Sequence, residues 1–396
     1  MNSKLHSLIT QRANELFVKV KQYREHIHQH PELSFEEYET CEFVIQQLKA
    51  IGISNIQKIG KTGVVALIMG DHHTIDDSFI GLRADLDALP IQEENNVSYK
   101  SIHEGKMHAC GHDVHTSILL GTAEILLDIK NELKQPIKLI FQPGEEKNPG
   151  GASILIEEGV LENPTVDRLY ALHVFPELEA GKIGFKEGLY MASCDEIYVT
   201  IHGKGGHGAM PHQCIDPILI GSTIITSLQQ IVSRACDPKL PCVLSFGHFE
   251  GIGATNVIPS VVKLKGTFRT MDEDWREKAL ILIKNQIEHI AQSFGGTAET
   301  FISRGYPCLT NDEKLTKQLS DKTKLLLGEQ NVINLPIRLT SEDFAFYSQL
   351  KPVCFFRIGV KNLEKNIIHG VHHPEFNIDE KSLITGMIAL CCSTII

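Results

Sequence analysis

His108-Ala109-Cys110-Gly111-His112-Asp113-Val114-His115 places four potential metal ligands and one carboxylate within eight residues. Cys110 and His112 are two apart, so an extended or turning backbone can aim both side chains the same way. A thiolate beside an imidazole suits a borderline-soft divalent ion such as zinc, manganese, cobalt or nickel. Gly111 between them relaxes the steric limits on a tight backbone. On its own the stretch also fits a His-rich surface loop with a chance cysteine, so the flanking sequence has to decide.

Upstream, residues 3–30 and 36–51 read as helices, and Ile53–Ile59, Gly63–Met69 and Phe79–Arg83 as strands. The last of these runs into Arg83-Ala84-Asp85-Leu86-Asp87-Ala88-Leu89-Pro90. Downstream, Thr116–Leu133 reads as a long buried helix. The short apolar strand Ile137–Phe141 then runs into Gln142-Pro143-Gly144-Glu145-Glu146. Gly150–Glu158 reads as a helix, and the strand Leu169–Leu172 delivers His173 at its end. Three strand ends thus carry Asp85, Glu145/Glu146 and His173, and open α/β sheets build their sites at the carboxyl ends of strands.

The texture changes near Gly184–Ala192. Strands near 195–202, 242–250, 258–269 and 297–303 alternate with helices near 215–234 and 272–293. This βαββαβ order is that of a ferredoxin-like unit. Asp272 reads as the N-cap of the second helix, whose apolar face is Ala279, Leu280, Ile283, Ile287, Ile290 and Ala291. The chain then returns with a helix over Asp312–Leu327, a short helix over Ser341–Gln349, a strand over Pro352–Ile358, the loop Val371-His372-His373-Pro374-Glu375-Phe376 and a closing helix over Ile378–Ile396. The organisation read from the sequence is an α/β catalytic domain over 1–187 and 305–396, interrupted by a smaller α+β domain over 188–304.

At 396 residues the chain exceeds one ordinary core. A formal net charge of −11 argues against a general nucleic-acid binder. No segment approaches the apolar length of a membrane span, and residues 1–19 lack the apolar core of a signal peptide. Ten cysteines without small-scaffold spacing read as reduced thiols of a cytoplasmic protein.

The metal-capable residues are Cys110, His112, Glu145, Glu146, His173, His372 and His373. Adjacent residues on a strand point to opposite faces. Glu145 and Glu146 therefore divide their labour: one binds metal and the other meets substrate and water. A hydrolytic metal site keeps a position open for water, lowers its pKa and relies on a nearby carboxylate to move the proton. Counting charges permits one ion or two.

These stretches, with His-Gln-His-Pro-Glu-Leu-Ser (28–34), Phe-Gln-Pro-Gly-Glu-Glu (141–146), Leu-His-Val (172–174), Gly-Lys-Gly-Gly-His-Gly-Ala-Met-Pro-His (203–212), Thr-Asn-Val-Ile-Pro (255–259), Ser-Glu-Asp-Phe (341–344) and His-His-Pro-Glu-Phe (372–376), resemble the amidohydrolase branch of the zinc-dependent exopeptidase superfamily. That branch holds hippurate hydrolase, N-acyl-L-amino-acid amidohydrolases and the plant indole-acetyl-amino-acid hydrolases. The resemblance implies a zinc-exopeptidase-like α/β/α catalytic domain and an inserted dimerisation lid. It implies two divalent metal ions held by Cys110, His112, Glu146, His173 and His372. Glu145 is then the general base and acid, and Asp85 orients a metal-ligating histidine. His207 of a partner subunit stabilises the oxyanion, and Asn256 and Arg269 bind the substrate carboxylate. His108, Asp113 and His115 receive no ligand role. The implied reaction is attack of metal-bound hydroxide on an N-acyl amino acid. The alternatives are a dipeptidase or aminopeptidase acting on short peptides, and a non-catalytic metal- or peptide-binding protein.

Overall fold

The computed structural model describes residues 3–395, and they fall into two compact units. The larger takes the chain up to Gly188, Thr310–Pro336, and the part from Asp343 onward. The smaller comprises Leu189–Leu309 and also Ile337–Glu342, a segment that sequence alone assigns to the first domain. No helix among the described residues is long and apolar enough to cross a membrane.

The larger unit is built on an eight-stranded mixed sheet. Its strands include β1 (Ile56–Ile59), β2 (Gly63–Ile68), β3 (Phe79–Asp85), β4 (Ile137–Gln142), β5 (Val166–Glu179) and β6 (Ile183–Phe185). The order is β1-β2-β4-β3-β5, then Val353–Lys361, β6 and Val332–Asn334. The central run β4-β3-β5 and Val353–Lys361 is parallel. β3 and β4 are buried throughout, as strands of a parallel run covered on both faces must be, and the antiparallel β2 beside them is buried almost throughout.

Helices α1 (Ser3–Glu15), α2 (Phe17–Gln29), α3 (Tyr38–Ile51) and α4 (His112–Asp128) follow from their sequence signals. The expected single helix over residues 3–30 is divided at Leu16, whose backbone stays near helical values. Gly52 ends α3 in a left-handed conformation, φ +104°, as its stop signal predicts. α4 packs against α2, α3 and the C-terminal helix Lys381–Thr394. Its residues Ile118, Leu119, Leu120, Ala123, Ile125 and Leu126 are fully buried. Burial of such side chains contributes about 1.5–3 kcal/mol each before entropy is counted. The expected helix over Ser341–Gln349 shrinks to Ala345–Ser348. Asp343 is drawn away by Arg83 at 2.7 Å and Gln142 at 2.7 Å, so the segment before Ala345 stays irregular.

The smaller unit carries a four-stranded sheet, ordered Cys242–Glu250, Val261–Thr270, Asp195–His202, Thr297–Arg304. With helices Pro217–Gln230 and Glu273–Ser293 this is the ferredoxin-like arrangement. Asp272 caps the second helix by accepting from the Trp275 N–H at 2.7 Å. Ala279, Leu280, Ile283, Ile287 and Ala291 are buried against Ile197, Val199, Ile201, Val262 and Leu264, while Ile290 is partly buried. Tyr198 and Phe301 point to the opposite face of that sheet, their rings 6.0 Å apart and Phe301 65% exposed.

Candidate metal centre

Two local departures from the sequence reading create the site. First, α4 begins at His112, four residues earlier than expected. Gly111 makes this turn at φ +84°, and a Cβ there would lie 2.6 Å from Val174 Cγ2. Cys110 and His112 therefore flank a left-handed turn into a helix, not an extended run. Second, His173 is not at the end of its strand, because β5 continues to Glu179. Pairing with β3 stops at Arg83↔Ala171, but Val353–Lys361 goes on pairing on the other edge, with Arg357 opposite His173. β5 thus stays extended after β3 has ended, and His173 projects beside that end.

Gly144 makes the corresponding turn after β4. It has φ +61°, and a Cβ would meet the Phe35 ring at 2.3 Å. Its N–H donates to Glu37 Oε1 at 2.8 Å. The turn sends Glu145 and Glu146 toward α4.

The donor atoms converge. Cys110 Sγ lies 3.4 Å from His173 Nε2. His173 Nδ1–H donates to the Val174 carbonyl at 2.8 Å, which leaves the Nε2 lone pair facing Cys110. His112 Nδ1 contacts Asp87 Oδ1 at 3.2 Å. Its Nε2 is buried without a hydrogen-bond partner, 3.8 Å from Asp85 Oδ2 and 3.9 Å from both Glu145 Oε2 and Glu146 Oε1. His372 Nε2 is 3.3 Å from Glu146 Oε1. Ligand atoms of Cys110, His112 and His173 lie within 4.8 Å of one another, as do those of Cys110, Glu146 and His372. Cys110 belongs to both triads, so the residues form two adjacent donor sets around one sulfur. A buried imidazole nitrogen with no bond, ringed by carboxylates, fits a cation.

His372 takes φ +66°, unusual for a residue with a Cβ, and its N–H donates to the Ala109 carbonyl at 2.8 Å. His373 turns elsewhere: Nδ1 accepts the Glu375 N–H at 3.0 Å and the ring stacks on His369 at 4.1 Å.

The electrostatics follow from burial. Burial alone would lower the His112 pKa, but Asp85, Asp87 and Glu146 push it up to about 10. Burial, with Glu146 and Glu145, raises the Cys110 thiol well above its usual range. Burial and Arg357 hold His173 neutral. At neutral pH the metal-free protein therefore keeps a proton on both His112 and Cys110, since both pKa values lie above 7. A bound cation displaces both. Calorimetry in buffers of different ionisation enthalpy is expected to show about two protons released per chain on zinc uptake near pH 7. Affinity for zinc should rise with pH. Release of no protons contradicts this assignment.

The carboxylate against His112 is Asp87. Asp85, expected to orient a metal-ligating histidine, hydrogen-bonds His115 Nδ1 and Arg83, both at 2.6 Å. Asp87 contacts His112, and it also accepts from the Glu145 N–H at 3.0 Å, the Glu146 N–H at 2.9 Å and Ser34 Oγ at 2.6 Å. One buried carboxylate so fixes His112 and both glutamates. Its signal in the sequence was position: it follows the strand by two residues, beside Asp85. His115 Nε2 accepts the Val174 N–H at 2.9 Å, so both its nitrogens are occupied and it is no ligand.

The remaining expected residues lie in the smaller unit. His207 pairs with Val257 on a two-stranded ladder, and just beyond it the Gly208 N–H donates to the Asn256 carbonyl at 2.8 Å. His207 is exposed, and its Nδ1 accepts the Ala209 N–H at 3.0 Å. Arg269 Nη1 donates to the Leu339 carbonyl at 3.1 Å and to Ser341 Oγ at 3.4 Å.

Fold and donor set together define a hydrolase built around a metal centre. The chain belongs to peptidase family M20/M25/M40, whose model matches residues 81–393. It is 42% identical over 302 residues to an N-acyl-L-amino acid amidohydrolase of Geobacillus stearothermophilus, covering 76% of this chain and 80% of that enzyme. It is 41% identical over 364 residues to an N-acetyl-L-cysteine deacetylase of Bacillus subtilis, covering 91% and 84%. The crystal structure of the Bacillus subtilis YxeP protein, described as a dinuclear metal-binding peptidase of the M20 family, aligns with a TM-score of 0.81 at 33% identity, covering 96% of this chain and 98% of that one.

Proposed function

We propose that this protein hydrolyses the amide bond of N-acyl amino acids, releasing a carboxylic acid and a free amino acid. The observation that carries the reading is the Glu145/Glu146 pair beside the shared Cys110 donor sets. Glu146 meets His372, and Glu145, which groups with His112 and Glu146, is assigned to proton transfer. The amidohydrolase relatives support the same substrate class.

Two divalent cations, of zinc, manganese, cobalt or nickel type, fit the two donor sets. Cys110, His112 and His173 would hold one, and Cys110, Glu146 and His372 the other. When bound, such ions acidify water and polarise a carbonyl. The chain's own groups do the rest. Glu145 is 6% exposed, and its Oε1 accepts the Asp343 N–H at 3.4 Å. It takes a proton from the attacking water and passes it to the leaving amine nitrogen. Asp87 keeps the His112 Nδ1–H engaged, so Nε2 stays directed at the centre. Asp85 supports the site indirectly, through His115 and Arg83.

His207 accepts at Nδ1, so its neutral ring carries the proton on Nε2, the form that donates to a developing oxyanion. We assign it to the active site of a second subunit, with Asn256 and Arg269 receiving the substrate carboxylate. The helix-free sheet face bearing Tyr198 and Phe301 supports self-association of residues 188–304. His207→Ala should lower kcat by about 10²-fold. Mixing it with a Glu145→Gln chain should recover part of the activity; no recovery argues against a role across subunits. Ten free thiols support a reducing, cytoplasmic setting.

Release of free amino acid from acetyl-, benzoyl- and longer acyl-amino acids tests the reading. Cleavage of dipeptides alone moves the assignment to a peptidase. Binding without cleavage leaves the non-catalytic alternative.

A further inference from the structure

His372 is the least supported of the converging donors. Cys110, His112 and His173 are buried on α4, on β5 or at the turn into α4, whereas the His372 side chain is 52% exposed on a loop with a left-handed backbone. Packing does not hold it in place. Tethers from other segments do. The Glu94 N–H donates to the Pro374 carbonyl at 2.9 Å, and Asn95 Nδ2 to the Phe376 carbonyl at 2.9 Å.

One buried side chain joins this loop to the segment that carries the other ligands. Arg24, on α2 and 1% exposed, donates from Nε to Asp113 Oδ2 at 2.8 Å. It donates from Nη2 to Asn377 Oδ1 at 3.1 Å. Asp113 is the neighbour of His112, and Asn377 closes the His372 loop. The guanidinium lies over the Tyr99 ring at 4.6 Å, and the Tyr99 hydroxyl is 3.3 Å from Asn377 Oδ1. His28 braces the same Asp113 oxygen at 2.8 Å and reaches Glu93 at 3.1 Å. Arg24 Nη1 is buried without a hydrogen-bond partner. A buried guanidinium with an unmet donor is a poor device for stability, since apolar side chains of similar volume often serve as well. Its planar fork, however, fixes two acceptors at one spacing, which a flexible ammonium does not.

We infer that Arg24, acting through Asn377, is a positioning residue that sets the His372 loop against the Cys110–His112 segment. It thereby governs one of the two donor sets, the Cys110–Glu146–His372 set. The inference rests on the two-cation reading above. Loss of the brace lets His372 move while Cys110, His112 and His173 stay where the core holds them. The two donor sets therefore respond unequally.

The test is zinc binding to metal-free full-length protein, followed by calorimetry, with melting temperature measured alongside. Asn377→Ala removes one acceptor from a partly buried position, and Arg24→Lys keeps the charge beside Asp113 but loses the fork. Each variant should retain one ion at wild-type affinity and bind the other at least about tenfold more weakly. His372→Ala should weaken the same ion, and adding Arg24→Lys to it should cost no further affinity, because both act through one ligand. Equal weakening of both ions, unchanged binding of both, or additive losses in the double variant overturns the inference. A wild-type chain that binds fewer than two ions overturns the two-cation reading itself, which the variants alone do not test.

Discussion

Glu145→Gln lowers turnover by about 10²–10⁴-fold, the range a positioned general base contributes, while bound metal stays at the wild-type level. The substitution is nearly isosteric. A glutamine oxygen still accepts from the Asp343 N–H, and the backbone N–H at 145 still reaches Asp87 at 3.0 Å. What disappears is the capacity to take a proton from water and return it to the amine. Glu146→Gln acts differently, because Glu146 Oε1 lies 3.3 Å from His372 Nε2 in the Cys110–His372 donor set, whereas Glu145 groups with His112 and Glu146. That change weakens zinc binding as well as rate. Metal analysis of the two variants beside their kcat values separates the roles. Loss of metal in Glu145→Gln shows the two glutamates to be exchanged, and unchanged turnover removes Glu145 from the chemistry.

Asp195→Ala destabilises the protein by about 3–5 kcal/mol, as does removal of one partner from a buried ion pair generally. Asp195 is fully buried and Arg276 is 3% exposed. The guanidinium donates to both carboxylate oxygens, at 2.8 and 2.7 Å, and to the Gly305 carbonyl at 3.0 Å. Truncating Asp195 leaves the charge inside with only Glu273, at 3.0 Å, and a carbonyl for company. The double variant Asp195→Ala/Arg276→Met removes the orphaned charge and should recover most of the loss. Urea unfolding of the three variants measures this. A single-variant cost below about 1 kcal/mol, the value of an exposed pair, contradicts the buried-pair account.

Much of the candidate centre was legible because its residues sit where the hydrophobic pattern stops. Glu145 and Glu146 follow the apolar run Ile137–Phe141, and Asp85 follows Phe79–Arg83, so strand ends mark them directly. The choice between Asp85 and Asp87 was not legible. Alternation predicts a facing side chain only while the chain remains a strand, and β3 ends at Asp85. Asp87 owes its place to contacts from Ser34, His112 and the Glu145–Glu146 backbone, which no local pattern encodes. The extent of β5 was hidden for a similar reason: Val353–Lys361, far along the chain, supplies the partner that keeps it extended past His173. The ferredoxin-like unit read well, since its strands alternate and its helices carry one apolar face. Attachment of Ile337–Glu342 to that unit left no trace in composition.

The most direct test of the central claim is restoration of hydrolysis to metal-stripped protein by stepwise addition of zinc or manganese, with free amine from an N-acetyl amino acid measured at each step. The account predicts no release from the stripped protein and full activity only as the second equivalent binds. Cleavage that survives stripping, or a protein that binds two equivalents yet releases no amine from any acyl-amino acid, contradicts it.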